Sequence, residues 1–228
     1  MHIIGILGAM PDEIAQLYDK LQNRKETKLG GNTFYEGDLA GRHAVLCCAG
    51  MGKVNAAAAA QLLITSFGAE ALLFSGIAGN MTAKIGTGDV VIGKTVVYHD
   101  AETRMIAEAY PHMESFAADD RLVAAAEKAC AETGVKYIVG KIATGDQFVG
   151  DSATKQAIAA KCAPDCVEME GAAVAHVACK NDVPFVILRA MSDDADEAAY
   201  AKLVGKPFDI RAYCDTAAKI TEALLRAL

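Results

Sequence analysis

Three acidic side chains stand at or just beyond apolar runs that read as buried strands. Glu13 follows His2 to Gly8, Glu170 follows the short Val167 to Met169 run, and Asp193 follows Phe185 to Met191. A carboxyl that gives a proton, a carboxylate that takes one and a third that accepts hydrogen bonds from hydroxyls suit proton transfer and sugar binding. Each acid alone has a plainer explanation. Asp12 and Glu13 fall in a first helical turn after Pro11, where acids complement the helix dipole. Glu168 and Glu170 flank Met169 at a strand-to-helix junction and share one side if the strand continues. Asp193 can cap a helix. Their convergence is what points to chemistry, because in open α/β sheets ligands bind beyond the carboxyl ends of strands.

Other strand ends carry weaker signals. Gly50-Met51-Gly52-Lys53 resembles the tail of a phosphate loop, but Cys47 stands where that loop needs glycine and no Ser or Thr follows Lys53. Gly5 and Gly8 are three apart without the further glycine of GxGxxG, so the dinucleotide fingerprint is absent. In Ser75-Gly76-Ile77-Ala78-Gly79, small residues allow either tight packing or close backbone approach to a ligand. In Thr144-Gly145-Asp146-Gln147-Phe148, the ring can stack on a flat base, although a core role is commoner for any single Phe. Asp193 to Glu197 lacks the glycine and distal Glu of a calcium loop, and no second histidine cluster joins His99-Asp100, so a structural role is expected there.

Strands and helices must alternate to bring these ends together. Strands are expected at His2 to Gly8, Asn32 to Leu39, Arg42 to Ala49, Ala71 to Ser75, Asp89 to His99, Lys136 to Thr144, Val167 to Met169 and Phe185 to Met191. Helices are expected at Pro11 to Leu21, Val54 to Phe67, Asp119 to Thr133, Ser152 to Cys162, Gly171 to Asn181 and within Asp209 to Leu228. This order predicts an α/β layered fold, and the strand pair turning at Ala40-Gly41 makes the sheet mixed. Residues 1–228 read as one domain, with Ala101 to Ala118 as a loop or flap.

A net charge of -7 and the lack of a basic run with interleaved aromatics argue against nucleic acid or an anionic membrane as partner. No apolar run approaches the ~20 residues of a membrane span, and MHIIGILGAM is too short and uncharged for a secretory leader. Seven scattered cysteines without a CxxC read as reduced thiols of a cytoplasmic protein.

The segments GILGAMPDEI, AGMGKVNAA, SGIAGN, GDVVIGKTVVYHD, ATGDQF, VEMEGAAVAHVA and LRAMSDDAD occur in this order. Together they resemble the 5'-methylthioadenosine/S-adenosylhomocysteine nucleosidases of the purine nucleoside phosphorylase/uridine phosphorylase superfamily. The resemblance runs from residue 3 to about Ala195 and returns near Phe208. It implies a three-layer α/β/α sandwich with a central mixed sheet, nucleoside phosphorylase-like and assembled as a homodimer. The implied reaction is hydrolysis of the N-glycosidic bond of small-molecule adenine thionucleosides, with no metal or organic cofactor.

By the same resemblance, Asp193 matches the acid that protonates adenine N7, and Glu13 the carboxylate that activates water. Glu170, beside Met169, matches the acid that holds the ribose hydroxyls, and Arg189 a residue near the water and Glu13. Phe148 and the backbone of Val149 should cradle the base, with Ile77, Ala78, Gly79 and Ser192 also at the substrate. Met10, Met51 and Phe208 should line the alkylthio pocket. The residue types suit the chemistry. Cleavage leaves positive charge on the sugar, and adenine departs poorly as an anion, so an acid that protonates it gains about 10²–10⁴-fold. Burial helps such an acid keep its proton near neutrality.

Two departures stand out. Ile77 occupies a place where some relatives carry serine near the water. Residues 101–118 do not match an aromatic-rich flap, and Met105, Ile106, Tyr110 and Pro111 are candidates for the thio-substituent wall, supplied across the dimer. Three rival readings compete. A phosphorylase would need cations around phosphate, but Glu13 would repel it and Phe74 stands where phosphorylases tend to carry arginine. A 6-amino-6-deoxyfutalosine nucleosidase would cut the same kind of linkage. A non-catalytic nucleoside-binding protein would be expected to lack one of the three acids.

Overall fold

Runs dominated by apolar and β-branched residues form most strands of a computed structural model that describes residues 2–205 and 209–228, with backbone alone for 202–205. In chain order the elements are β1 (Ile3–Gly8), α1 (Pro11–Lys20), β2 (Gln22–Leu29), β3 (Asn32–Leu39), β4 (Arg42–Cys48) and α2 (Lys53–Phe67). Then come β5 (Ala71–Asn80), β6 (Val90–Tyr98), α3 (Thr103–Ile106), β7 (Phe116–Ala117), α4 (Asp120–Thr133) and β8 (Tyr137–Thr144). The last are α5 (Ser152–Cys162), β9 (Cys166–Glu168), α6 (Gly171–Lys180), β10 (Phe185–Asp193), α7 (Glu197–Gly205) and α8 (Arg211–Ala227).

The strands form one mixed sheet in the order β10-β6-β8-β9-β5-β1-β4-β3-β2, with β7 on β6. β10 also pairs with β5, so β10, β6, β8, β9 and β5 close into a ring and the remaining main strands extend from it as a wing. Helices α1, α4 and α8 pack together, as do α2 and α6. Every residue of β10 is buried, as expected of a continuous apolar run held on both faces.

Four features differ from the sequence reading. β2, QNRKETKL, is almost wholly exposed, so it shows no apolar alternation to read; its charges suit an edge strand that must not recruit another. β5 runs on to Asn80 instead of ending at Ser75, because Gly76 to Gly79 continue the ladder with β10 and β9. α7 adds a helix where none was expected. Residues 101–118 hold α3 and β7 and are tied to α6: Lys180 Nζ donates to the Tyr110 carbonyl at 3.2 Å, and Tyr110 Oη donates to Asp182 at 3.3 Å.

Candidate active site

The chain leaves β1 at Gly8 and enters α1 at Pro11, which needs no backbone N–H at a helix start. Glu13, at the third helical position, turns back on this entry. Its Oε2 accepts the N–H groups of Ala9 (2.6 Å) and Met10 (3.0 Å), and its Oε1 accepts the Ile77 N–H of β5 at 3.0 Å. The glutamate that seals the helix start therefore also joins β1 to β5. It is 2% exposed. Burial raises its pKa above the ordinary carboxylate value, although Arg189 and the three N–H donors pull the other way.

Register places the next groups. β10 runs parallel to β5 with Arg189 beside Gly76 and Asp193 beside Gly79, after an irregularity between Met191 and Asp193. Such a bulge re-aims a side chain. A Cβ on Gly76 would lie 2.0 Å from Arg189 Nη1 and 2.5 Å from Glu13 Oε1, so only glycine lets these groups meet there. Asp193 accepts the Ser192 hydroxyl on Oδ2 (2.6 Å) and the Ala195 N–H on Oδ1 (2.9 Å).

The paired acids split their duties. β8 and β9 run parallel with Thr144 beside Glu168, and the Thr144 hydroxyl donates to Glu168 Oε1. Glu168 Oε2 accepts Arg189 Nη2 together with the N–H groups of Glu170 (3.1 Å) and Gly171 (2.7 Å). The strand does not continue to Glu170; that residue caps α6, yet its carboxylate still reaches the same guanidinium, with Oε2 3.5 Å from Arg189 Nη2. Its Oε1 accepts the Gly52 N–H at 2.8 Å, and Gly52 presents that donor at φ 94°, a conformation suited to glycine. Burial first, and the charge of Glu168 second, push the Glu170 pKa up to about 7 against Arg189 and the Gly52 N–H. Arg189 has no exposed surface and lies 4.1 Å over the Phe74 ring. Burial works against its charge, but Glu168, Glu13 and Glu170 outweigh that and hold it protonated.

These groups surround a cavity of about 500 Å³, a size suited to a small organic ligand. Of the residues expected at the site, Glu13, Met10, Met51, Ile77, Ala78, Gly79, Phe148, Val149, Met169, Glu170, Ser192 and Asp193 all line it. Arg189 lies behind the carboxylates and does not line it; Phe208 falls outside the described residues. Ala9, Gln147, Val167, Glu168 and Ile210 also line it. Of these, Ala9, Gln147, Val167 and Glu168 lie within the strand-end segments singled out in the sequence, Glu168 as the first acid of the Glu-Met-Glu pair, and Ile210 carried no signal. Among the described residues no Lys or Arg lines the cavity.

A model of the phosphorylase superfamily matches residues 3–228. A 5'-methylthioadenosine/S-adenosylhomocysteine nucleosidase of Anoxybacillus flavithermus (strain DSM 21510 / WK1) is 41% identical, over 84% of this chain and 85% of the relative. The chain belongs to the 5'-methylthioadenosine/S-adenosylhomocysteine nucleosidase family. The crystal structure of such a nucleosidase from Neisseria meningitidis, in complex with methylthio-immucillin-A, superposes with a TM-score of 0.92 at 34% identity and covers 100% of both chains. The native structure of futalosine hydrolase of Helicobacter pylori strain 26695 gives a TM-score of 0.90 at 31% identity, covering 100% of this chain and 98% of that one.

Membership of this nucleosidase family accords with the fold expected from the sequence, a mixed α/β sheet with flanking helices. At Ile77 the contact to Glu13 comes from the backbone N–H, which any side chain would leave in place. Met105, Ile106, Tyr110 and Pro111 do not line the cavity of their own chain, because the segment carrying them is docked on α6.

Proposed function

We propose that this nucleosidase hydrolyses the N-glycosidic bond of 5'-methylthioadenosine and S-adenosylhomocysteine, releasing adenine and the 5'-thioribose product. Asp193 protonates the departing adenine, Glu13 takes a proton from the attacking water, and Glu170 binds the ribose hydroxyls. Arg189 sits behind as counter-charge to the carboxylates. Phe148 and Val149 flank the base, and Met10 and Met51 flank the thio-substituent. That product set fits recycling of methionine sulfur on a single domain.

One observation carries the choice of water over phosphate: Glu13, Glu168, Glu170 and Asp193 line the cavity and, among the described residues, no cation does. At an effective dielectric of 20, a carboxylate about 4 Å from a phosphate charge repels it by roughly 4 kcal/mol. Adenine release from methylthioadenosine is expected to proceed without phosphate and to gain nothing from it. The test compares methylthioadenosine, adenosylhomocysteine, adenosine, inosine and 6-amino-6-deoxyfutalosine with and without phosphate; a strict phosphate requirement overturns the hydrolase reading.

A second reading, 6-amino-6-deoxyfutalosine as substrate, is favoured by the likeness to the futalosine hydrolase of Helicobacter pylori. The same panel decides it. The exposed apolar side chains of Met51, Val54, Met105 and Phe148 support a homodimer that covers them and lends the flap to the partner's site. Light scattering is expected to give twice the monomer mass, and a monomer that is fully active removes this part. The seven free thiols suit a cytoplasmic setting, which cell fractionation checks.

A further inference from the structure

We propose that Glu168 is a positioning residue, holding Glu170 ready for the sugar hydroxyls by clamping the start of α6 and by keeping Arg189 engaged elsewhere. This rests on the nucleosidase reading and deepens it.

Glu168 lines the cavity, yet its hydrogen-bonding capacity is largely spent within the protein. Its Oε2 takes three donors, from Arg189, Glu170 and Gly171, and its Oε1 takes the Thr144 hydroxyl. A carboxylate has about four acceptor positions, so little remains for a ligand. Glu170 is the opposite case. One Gly52 N–H reaches its Oε1, and its remaining acceptor positions are available to ligand hydroxyls in the cavity it lines.

The clamp has two parts. The first N–H groups of a helix lack partners within it. At α6 those of Glu170 and Gly171 go to Glu168, and that of Ala172 goes to Thr144 Oγ1 at 2.8 Å. Thr144 and Glu168 face each other across the β8–β9 ladder, so a rigid sheet end holds the helix start and with it the Glu170 backbone. The second part is electrostatic. Arg189 is wholly buried and must keep a counter-charge close. Without Glu168 the nearest substitute is Glu170, already 3.5 Å away, which would turn from sugar acceptor into ion-pair partner. The charged groups around Glu170 are Glu168 on β9, Arg189 on β10 and Glu13 on α1, with the Gly52 N–H at the start of α2.

The test is Glu168→Gln in the full chain. The kcat/KM for methylthioadenosine is expected to fall about 10- to 100-fold, the scale of a lost charge-assisted hydrogen bond. Two further readouts separate positioning from general damage. The acid limb of the kcat/KM profile should move to lower pH, because Glu170 loses a repelling neighbour and gains Arg189. Removing the 2'- or 3'-hydroxyl of the substrate should cost the variant about threefold or less, against roughly 10-fold or more for the wild type, since linked contacts are not additive. Adenine binding by calorimetry, unchanged, confirms the fold. An active variant with full deoxy-substrate penalties and an unmoved acid limb overturns the proposal. Should Glu168→Gln not fold, Thr144→Val carries the test: it loosens the same clamp without moving a charge, and an undiminished deoxy penalty overturns the proposal equally. Wild-type enzyme that releases no adenine would sink the nucleosidase reading and this inference with it; an unaltered penalty in an active variant sinks this inference alone.

Discussion

Asp193→Asn is expected to slow adenine release from methylthioadenosine by about 10²–10⁴-fold, the usual contribution of a positioned proton donor. Substrate affinity should change by only a few-fold. The substitution keeps shape and most hydrogen bonds. The Asn oxygen can still accept the Ala195 N–H now held at 2.9 Å, and its amide can donate to the Ser192 hydroxyl or to a ring nitrogen of the base. What it cannot do is transfer a proton, so adenine must leave as a poor anion. Single-turnover rates alongside calorimetric titration separate the two effects. Turnover near that of the wild type would remove Asp193 as the acid; loss of binding in equal measure would make it a binding residue instead.

Glu13→Gln should lose turnover on the same scale, by the opposite half of the chemistry, because an amide cannot take a proton from water. Here stability is expected to fall as well. Glu13 accepts three backbone N–H groups with two oxygens, and an amide must turn its NH₂ toward at least one of them, Ile77 or the Ala9 and Met10 pair. An unpaired buried donor costs about 1–3 kcal/mol. In a chain of this size each kcal/mol lowers Tm by about 2–4 °C. The pairing of a large rate loss with a modest Tm loss distinguishes this variant from Asp193→Asn, whose hydrogen bonds survive. A folded Glu13→Gln enzyme with near-normal kcat would take Glu13 out of water activation.

Much of this molecule was legible in its residues. Continuous apolar runs announce strands buried on both faces, and β10 is buried throughout. Pro11 marks the start of α1, and Asp119, the first residue expected of the helix that runs to Thr133, caps α4. The strand-end acids Glu13, Glu170 and Asp193 stand out because acids at strand ends converge on one side of an α/β sheet, and all three line one cavity. β2 was invisible for the converse reason, since an exposed polar edge strand has no burial period to detect.

Tertiary structure alone decided the rest. Periodicity reports which face of an element is buried, but not which strands pair, so the closure of β10 onto both β6 and β5 left no trace in the sequence. Nor could spacing show that the Gly52 N–H would donate to Glu170, 118 positions away, or that Ile77 would hold Glu13 through its backbone. Glu168 reads as a twin of Glu170 in the chain. Only the β8–β9 register and the approach of Arg189 give the two different work, because a carboxylate's role depends on how many of its acceptor positions the fold has already filled.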